Sequence, residues 1–253
     1  REKVLKLESG KINEILEIVE ELTTPDQSKK IPYSPETIVF SDSIVRTRVL
    51  KSEENLQYPI GLVFHELLNI VHAQNELIDY GILIRGGISF GDIYVDQKRI
   101  FGPALIQAYD LESKFAKYPR LIVDPELIKE YKNNELLRRD GHSFEEDSSY
   151  VKSLLQQGDD GLWFVDYARA VESELDEPEM YFNFLKRHKE IILDGCSEFK
   201  ALNKDLEKYV WLANYHNSVI ENKSDEYFEC YNFEKEDFYI NSDELSALQY
   251  IMS

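Results

Sequence analysis

The chain has 253 residues, with 29 Lys and Arg against 48 Asp and Glu and a formal net charge of −19. At 43% hydrophobic and 30% charged it is ordinary globular material, long enough to bury a sizeable core. Such acidity argues against a phosphate-tracking nucleic-acid surface and against docking on an anionic membrane, although a few local cations or metal ions can reverse the sign of one pocket. Cys196 and Cys230 are too few for a disulfide framework and fit a reducing cytoplasm. No apolar stretch approaches the ~20 residues of a membrane span. No hydrophobic leader is visible at Arg1-Glu2-Lys3, so a cytoplasmic protein is expected.

Along the chain, Ile12, Ile15, Leu16, Ile18, Val19 and Leu22 repeat at helical spacing over residues 10–23. Pro25, Pro32 and Pro35 then punctuate a loop. TIVFSDSIVRTRVL, rich in β-branched residues around Ser41-Asp42-Ser43, predicts two short strands about a tight turn. Pro59 introduces a helix to about Tyr80. Ile82 to Val95 reads as strand, Gly102-Pro103 as a helix start, Arg120 to Val123 as strand and Pro125 as the opening of a short helix. Residues 132–161 turn polar and suggest a surface insertion. LWFVDY (162–167) returns to strand, two helices follow over roughly 177–194 and 199–222, and an acidic, aromatic tail closes the chain. No internal repeat is visible. The expected class is mixed α/β around one sheet, with a core over 1–131, the insertion over 132–161 and the rest of the same domain over 162–253.

Asp42 sits between two apolar strands in FSDSIV. A carboxylate there is either good turn chemistry, flanked by hydroxyls, or an oxygen ligand for a hard cation. Arg85, in LIRGGISFG, places a permanent cation beside two glycines. It suits either the grip of a polyphosphate or a salt bridge to one of the surplus carboxylates. Gly102-Pro103 offers a helix N-terminus to an anion, a weak signal because proline is common there. HELLN (65–69) has Asn69 where a zinc-protease motif needs a second His, so His65 and His72 are read as lining a solvated helix face. His142, His188 and His216 lack ligand spacing. There is no P-loop, and GGISFG matches a dinucleotide fingerprint only loosely.

Taken in order, FSDSIV, LIRGGISFGDIY, IFGPALIQAYDLE, AKYPRLIVD and KYVWLANYHN resemble the catalytic subunit of the bacterial Pycsar anti-phage systems, a branch of the class III nucleotidyl cyclases. The resemblance runs from about Thr37 to Asp124 and resumes at LWFVDY and at Lys208–Asn217, somewhat over half of the chain. It implies a ferredoxin-like sheet-and-helix unit with flanking helices and a helical C-terminal extension, dimerising head to tail with active sites at the interface. It implies two divalent ions, Mg²⁺ or Mn²⁺, held by two aspartates and binding a nucleoside triphosphate. The ribose 3′-hydroxyl attacks the α-phosphate, pyrophosphate leaves, and a 3′,5′-cyclic monophosphate results.

By this resemblance Asp42 is the metal aspartate of the hairpin turn and Arg85 the phosphate cation. Ser41, Ser43 and Tyr109 are the candidate substrate contacts, with Arg46 and Arg48 as further groups that could read the base. The family's earlier FxDxLGF strand, with the other metal aspartate, matches nothing in residues 1–36 and is expected upstream of Arg1. Ile106 and Asp110 stand where purine cyclases carry an Asn and an Arg, and Ile38 where adenylyl cyclases carry a base-reading Lys. These departures point to UTP or CTP as substrate, and the resemblance implies a separately encoded effector activated by cUMP or cCMP. The alternative is a catalytically inactive cyclase-like module that binds a nucleotide or a protein; a third reading is a structural helper with no nucleotide site.

Overall fold

The computed structural model describes residues 36–40, 43–52, 60–96, 99–138, 141–200, 206–241 and 244, with Ile15 and Glu17 (backbone only at Phe40 and 198–200). The chain divides into two units: Arg1–Ala116 with Arg120–Tyr167, and Lys117–Pro119 with Ala168–Ser253. It is mixed α/β. Among the described residues the strands do not join into the one sheet expected from the sequence; they form two separate hairpins and one four-stranded sheet.

In the first unit, β1 (Glu36–Phe40) pairs antiparallel with β2 (Ser43–Thr47), with Phe40 opposite Ser43. Val39 and Ile44 face each other as an exposed cross-strand pair. Helix α1 (Leu62–Ile78) buries Leu67, Val71, Leu77 and Ile78 along one stripe, as its periodicity predicts. Gln74, on the same buried face, uses both ends of its amide. Its Nε2 donates to the Ile82 carbonyl at 2.9 Å, and its Oε1 accepts from the Ile84 N–H at 2.7 Å. This clamp holds residues 82–84 against the helix. The expected strand over 82–95 is therefore two, β3 (Gly86–Ile88) and β4 (Tyr94–Asp96), the second paired with β5 (Arg99–Phe101).

The four-stranded sheet has the order β3-β6-β8-β7, with β6 (Leu121–Val123), β7 (Leu155–Gln157) and β8 (Trp163–Val165). β3 runs parallel to β6, and the other pairings are antiparallel. A parallel pair needs a long crossover. Here the β4–β5 hairpin and α2 (Pro103–Asp110), continued by one π turn over Leu111–Phe115, supply it. Gly87 sets how α2 meets β3: a Cβ there would lie 2.5 Å from the Ala108 carbonyl oxygen and 2.5 Å from Leu111 Cβ. At the start of α2, Gly102 has φ 153°, and a Cβ would stand 2.7 Å from the Asp92 carbonyl oxygen.

Asp124 follows β6 as the cap of α3 (Pro125–Asn133), accepting from the Glu126 N–H at 2.9 Å. Residues 132–161, expected as a polar insertion, contain α4 (Phe144–Ser153), opened by a Ser143–Glu146 capping box, and β7, an edge strand of the sheet. Arg120, just before β6, is buried against the Phe164 ring at 5.6 Å and pairs with Asp160. That guanidinium holds the Asp160 carboxyl below the usual range.

The second unit is built on α5 (Pro178–Lys200) packed against α6 (Leu206–Glu221). Phe182, fully buried, is ringed by Tyr227, Phe228, Tyr231, Phe233 and Phe238, with centroids 4.7–5.9 Å away. The acidic, aromatic tail thus folds back as α7 (Asp225–Glu229) and α8 (Lys235–Phe238), rings inward and acids outward. Tyr215 and Tyr181 hold the backbone of one residue: the Ala168 N–H donates to the Tyr215 hydroxyl and the Tyr181 hydroxyl donates to the Ala168 carbonyl, each at 3.0 Å. Among the described residues no helix is long and apolar enough to cross a membrane.

Gly87→Ala is expected to cost about 1–3 kcal/mol, because backbone and a helix side chain must both give way. Gly86→Ala, whose Cβ would meet only Leu121 at an ordinary 3.6 Å, is expected to cost less than about 1 kcal/mol. Chemical denaturation of the two variants checks the contrast.

Candidate functional site

The residues singled out in the sequence fall into three places in the first unit. Ser41 and Asp42 lie outside the described residues; in sequence they are the two residues between the paired ends of β1 and β2. Ser43, the first residue of β2, is exposed.

Arg46 and Arg48, two apart and on one face, meet a single carboxylate on α1. Arg46 Nε donates to Glu66 Oε2 at 2.8 Å and its Nη2 to Oε1 at 3.3 Å, while Arg48 Nε donates to the same Oε1. All three side chains are mostly buried, the guanidiniums at 15% and 8% exposure and the carboxylate at 21%. At that depth the ions need each other, since desolvation would otherwise cost several kcal/mol. Glu66, the acid of HELLN, thus orders the hairpin against α1 and is no zinc-protease base. Burial first, and then the Arg48 charge, holds the neighbouring His65 imidazole below its ordinary 6.5. His65 stands edge-on to Phe64, half-buried like His72, so neither lies on a fully solvated face.

Arg85 lies just before β3, with its side chain 47% exposed. Its Nη2 donates to Glu112 and its Nη1 to the Ala116 carbonyl at 3.4 Å. Of the two readings of this cation, the salt bridge is the one the structure displays. Its partner comes from the π turn after α2, which the Gly87 contact brings onto β3.

On α2 itself, Ile106 and Tyr109 are exposed at 58% and 66%, and Asp110 is paired with Lys114 at 2.7 Å. Tyr109 is thus free to meet a ligand but is not aimed into a closed pocket. The helix start is less open to an anion than its sequence suggests: the Ala104 N–H donates to the Asp92 carbonyl at 3.3 Å, and the Ala104 carbonyl accepts from Ser89 Oγ at 2.6 Å. Among the described residues no three His, Cys, Asp or Glu side chains gather into a metal-ion set. The described residues do not form a two-metal donor set by themselves, and Asp42, its implied member, lies outside them.

Two polar clusters carry no local sequence signal. In the first unit, His142 Nδ1 lies 3.0 Å from the wholly buried Asp147 carboxylate, near Tyr131. Burial and then the Asp147 charge push the Tyr131 phenol up. In the second unit, His188 and His216 meet in the core with Nδ1 atoms 3.0 Å apart. Twenty-eight residues separate them, a spacing that only the pairing of two helices brings to contact. Cys196 is buried and Cys230 exposed, both as free thiols.

No protein-family model matches the chain, and no curated protein or solved structure matches it either.

Glu66→Gln, which leaves two buried guanidiniums without their carboxylate, is expected to lower stability by about 2–4 kcal/mol. Glu112→Gln, at an exposed pair, is expected to change stability by less than about 1 kcal/mol. Urea unfolding of both variants, followed by circular dichroism, checks the order.

Proposed function

We propose that the chain is a nucleotidyl cyclase of the class III type, converting UTP or CTP into the 3′,5′-cyclic monophosphate and pyrophosphate. In this reading it acts as a cytoplasmic homodimer, and its product activates a separately encoded effector in anti-phage defence. The observation that carries the reading is the order of five segments along the chain, with FSDSIV placed so that Asp42 falls between paired strands. The mixed α/β class, and the antiparallel pairing of the two strands that flank Asp42 in sequence, are what the structure offers in support.

Each residue then has a physical task. Asp42 supplies the carboxylate through which the resemblance holds Mg²⁺ or Mn²⁺. Arg85 grips phosphate oxygens; its guanidinium is half-exposed, so a triphosphate can displace the Glu112 carboxylate and gain a charge-assisted fork of donors. Ser41 and Ser43 offer hydroxyls beside Asp42, and exposed Tyr109 offers a ring and a hydroxyl to the base. Arg46 and Arg48 are already committed to Glu66, so they brace the hairpin and leave the base to Tyr109.

One observation favours a second reading, a catalytically inactive cyclase-like module: the cation meant for phosphate is already neutralised by Glu112. Incubation of the full chain with each ribonucleoside triphosphate and Mn²⁺ separates the two. Cyclisation of UTP or CTP is expected, with Asp42→Ala lowering turnover more than ~100-fold and leaving the unfolding temperature nearly unchanged. Absence of cyclic product from all four nucleotides would sink the cyclase, and calorimetric binding without turnover would establish the module.

A further inference from the structure

His188 on α5 and His216 on α6 are both fully buried and meet through their Nδ1 atoms at 3.0 Å. The other ring nitrogen of His216, Nε2, lies 2.8 Å from the Phe238 carbonyl oxygen. A carbonyl only accepts, so Nε2 carries the proton; neutral His216 must then accept at Nδ1, and His188 Nδ1 donates to it. The two tautomers are fixed by a single hydrogen-bonded chain, running from α5 through α6 to the backbone of the C-terminal segment.

Other side chains grip the same segment through its backbone. Asn217 Nδ2 donates to the Ile240 carbonyl at 2.8 Å, and the Ile240 N–H donates to Asn217 Oδ1 at 2.9 Å. Lys189 Nζ donates to the Tyr239 carbonyl at 2.7 Å and to the Asp237 carbonyl at 3.4 Å. The side chains of Phe238 and Ile240 are buried, Phe238 between Phe182, Phe228 and Phe233. The segment, the last turn of α8 and the residues that leave it, therefore lies on the helix pair held by backbone groups and by the buried side chains of Phe238 and Ile240.

We propose that Asp237–Asn241, the end of α8 and the residues that follow it, is a strap docked on α5 and α6, and that the His188–His216 pair is the latch that acid opens. A proton on His216 Nδ1 turns the acceptor of the chain into a donor facing another donor, and places a charge in an aromatic core. Charged and titratable groups surround the pair from each of the segments packed on it. From α5 comes the Lys189 ammonium, itself 3.3 Å from Glu244, with Lys186 over the Phe238 ring at 5.5 Å. From α6, Tyr215 stands edge-on to His188 at 6.4 Å, and Glu221 accepts from the Tyr239 hydroxyl at 2.9 Å. The strap itself contributes the Phe238 carbonyl to His216.

Burial, opposed by the hydrogen bond to the Phe238 carbonyl and aided by the Lys189 charge, lowers His216 from 6.5 to about 4, and burial with the His216 charge holds His188 well below 6.5. The docked form thus binds fewer protons than the released one between those values. Its stability is complete above about pH 6.5 and is lost as pH falls towards about 4. Opening bares the Asn217 amide and the ring cage that Phe238 fills. The latch belongs to the second unit and stands independently of the cyclase reading.

Amide hydrogen exchange of the full chain between pH 7 and pH 5, corrected for intrinsic rates, tests the latch. Protection at Tyr239 and Ile240 is expected to fall about tenfold or more, while that of Leu212 in α6 and Val71 in α1 holds. His216→Gln, whose amide can still donate to the Phe238 carbonyl but does not titrate, is expected to abolish the pH dependence. Asn217→Ala is expected to lower protection of the strap at both pH values. In the wild type, the NMR titration midpoint of His216 is expected to match strap release, a check that needs no variant. Unchanged protection at pH 5, a loss shared by Leu212, or a titration of His216 that does not track the strap would overturn the proposal.

Discussion

Helix α2 lies on β3 at a distance that only a residue without a side chain permits. With Ala108 and Leu111 each 2.5 Å from the place a Gly87 Cβ would occupy, the helix rests directly on the strand's backbone. Much of the first unit follows from that contact. It carries the π turn over the end of β3, so Glu112 reaches Arg85 from a different stretch of chain. It also fixes the far end of the crossover, so the β4–β5 hairpin must turn sharply at Gly102 to enter α2. The same close packing leaves the outer face of α2, with Ile106 and Tyr109, turned to solvent.

A net charge of −19 has a structural counterpart in how the cations are used. Arg46 and Arg48 share Glu66, Arg85 takes Glu112, Arg120 takes Asp160, and Lys223 takes Glu172. In an acidic chain a cation placed in a wall meets a carboxylate before it meets a ligand. An anionic substrate must therefore compete for its contacts, and the most exposed of these arginines, Arg85, is the one where competition is cheapest. The second unit relies on another principle. Its core is a set of rings around Phe182, and its buried polar atoms form hydrogen-bonded chains with fixed proton positions.

Several elements were legible in the sequence because their signals are local. Pro125 after Asp124 marks a capped helix start, the apolar stripe of α1 marks a buried face, and Phe40 opposite Ser43 is the hairpin that the β-branched runs and small polar turn imply. The strand over 82–95 was misread because its first residues are held by Gln74 of α1, a long-range clamp that local composition does not contain. The polar stretch over 132–161 concealed an edge strand, since β7 at Leu155–Gln157 exposes part of itself and needs little apolar sequence. Of the candidate site, the residue types were legible and their partners were not. Nothing near Arg85 names Glu112, and nothing in HELLN names the two arginines that Glu66 braces.

The amino-acid sequence by itself determined the class of the chain, the places of several of its helices and short strands, and the order of segments on which the cyclase reading rests. Those properties follow from periodicity, capping and turn chemistry within a few residues, where the chain is its own context. Only the tertiary structure decided which charges cancel and which protons are fixed. Glu66 between two arginines, Glu112 on Arg85, and His188 against His216 join residues 18 to 28 positions apart, and in the first and last of these burial makes each partner necessary to the other.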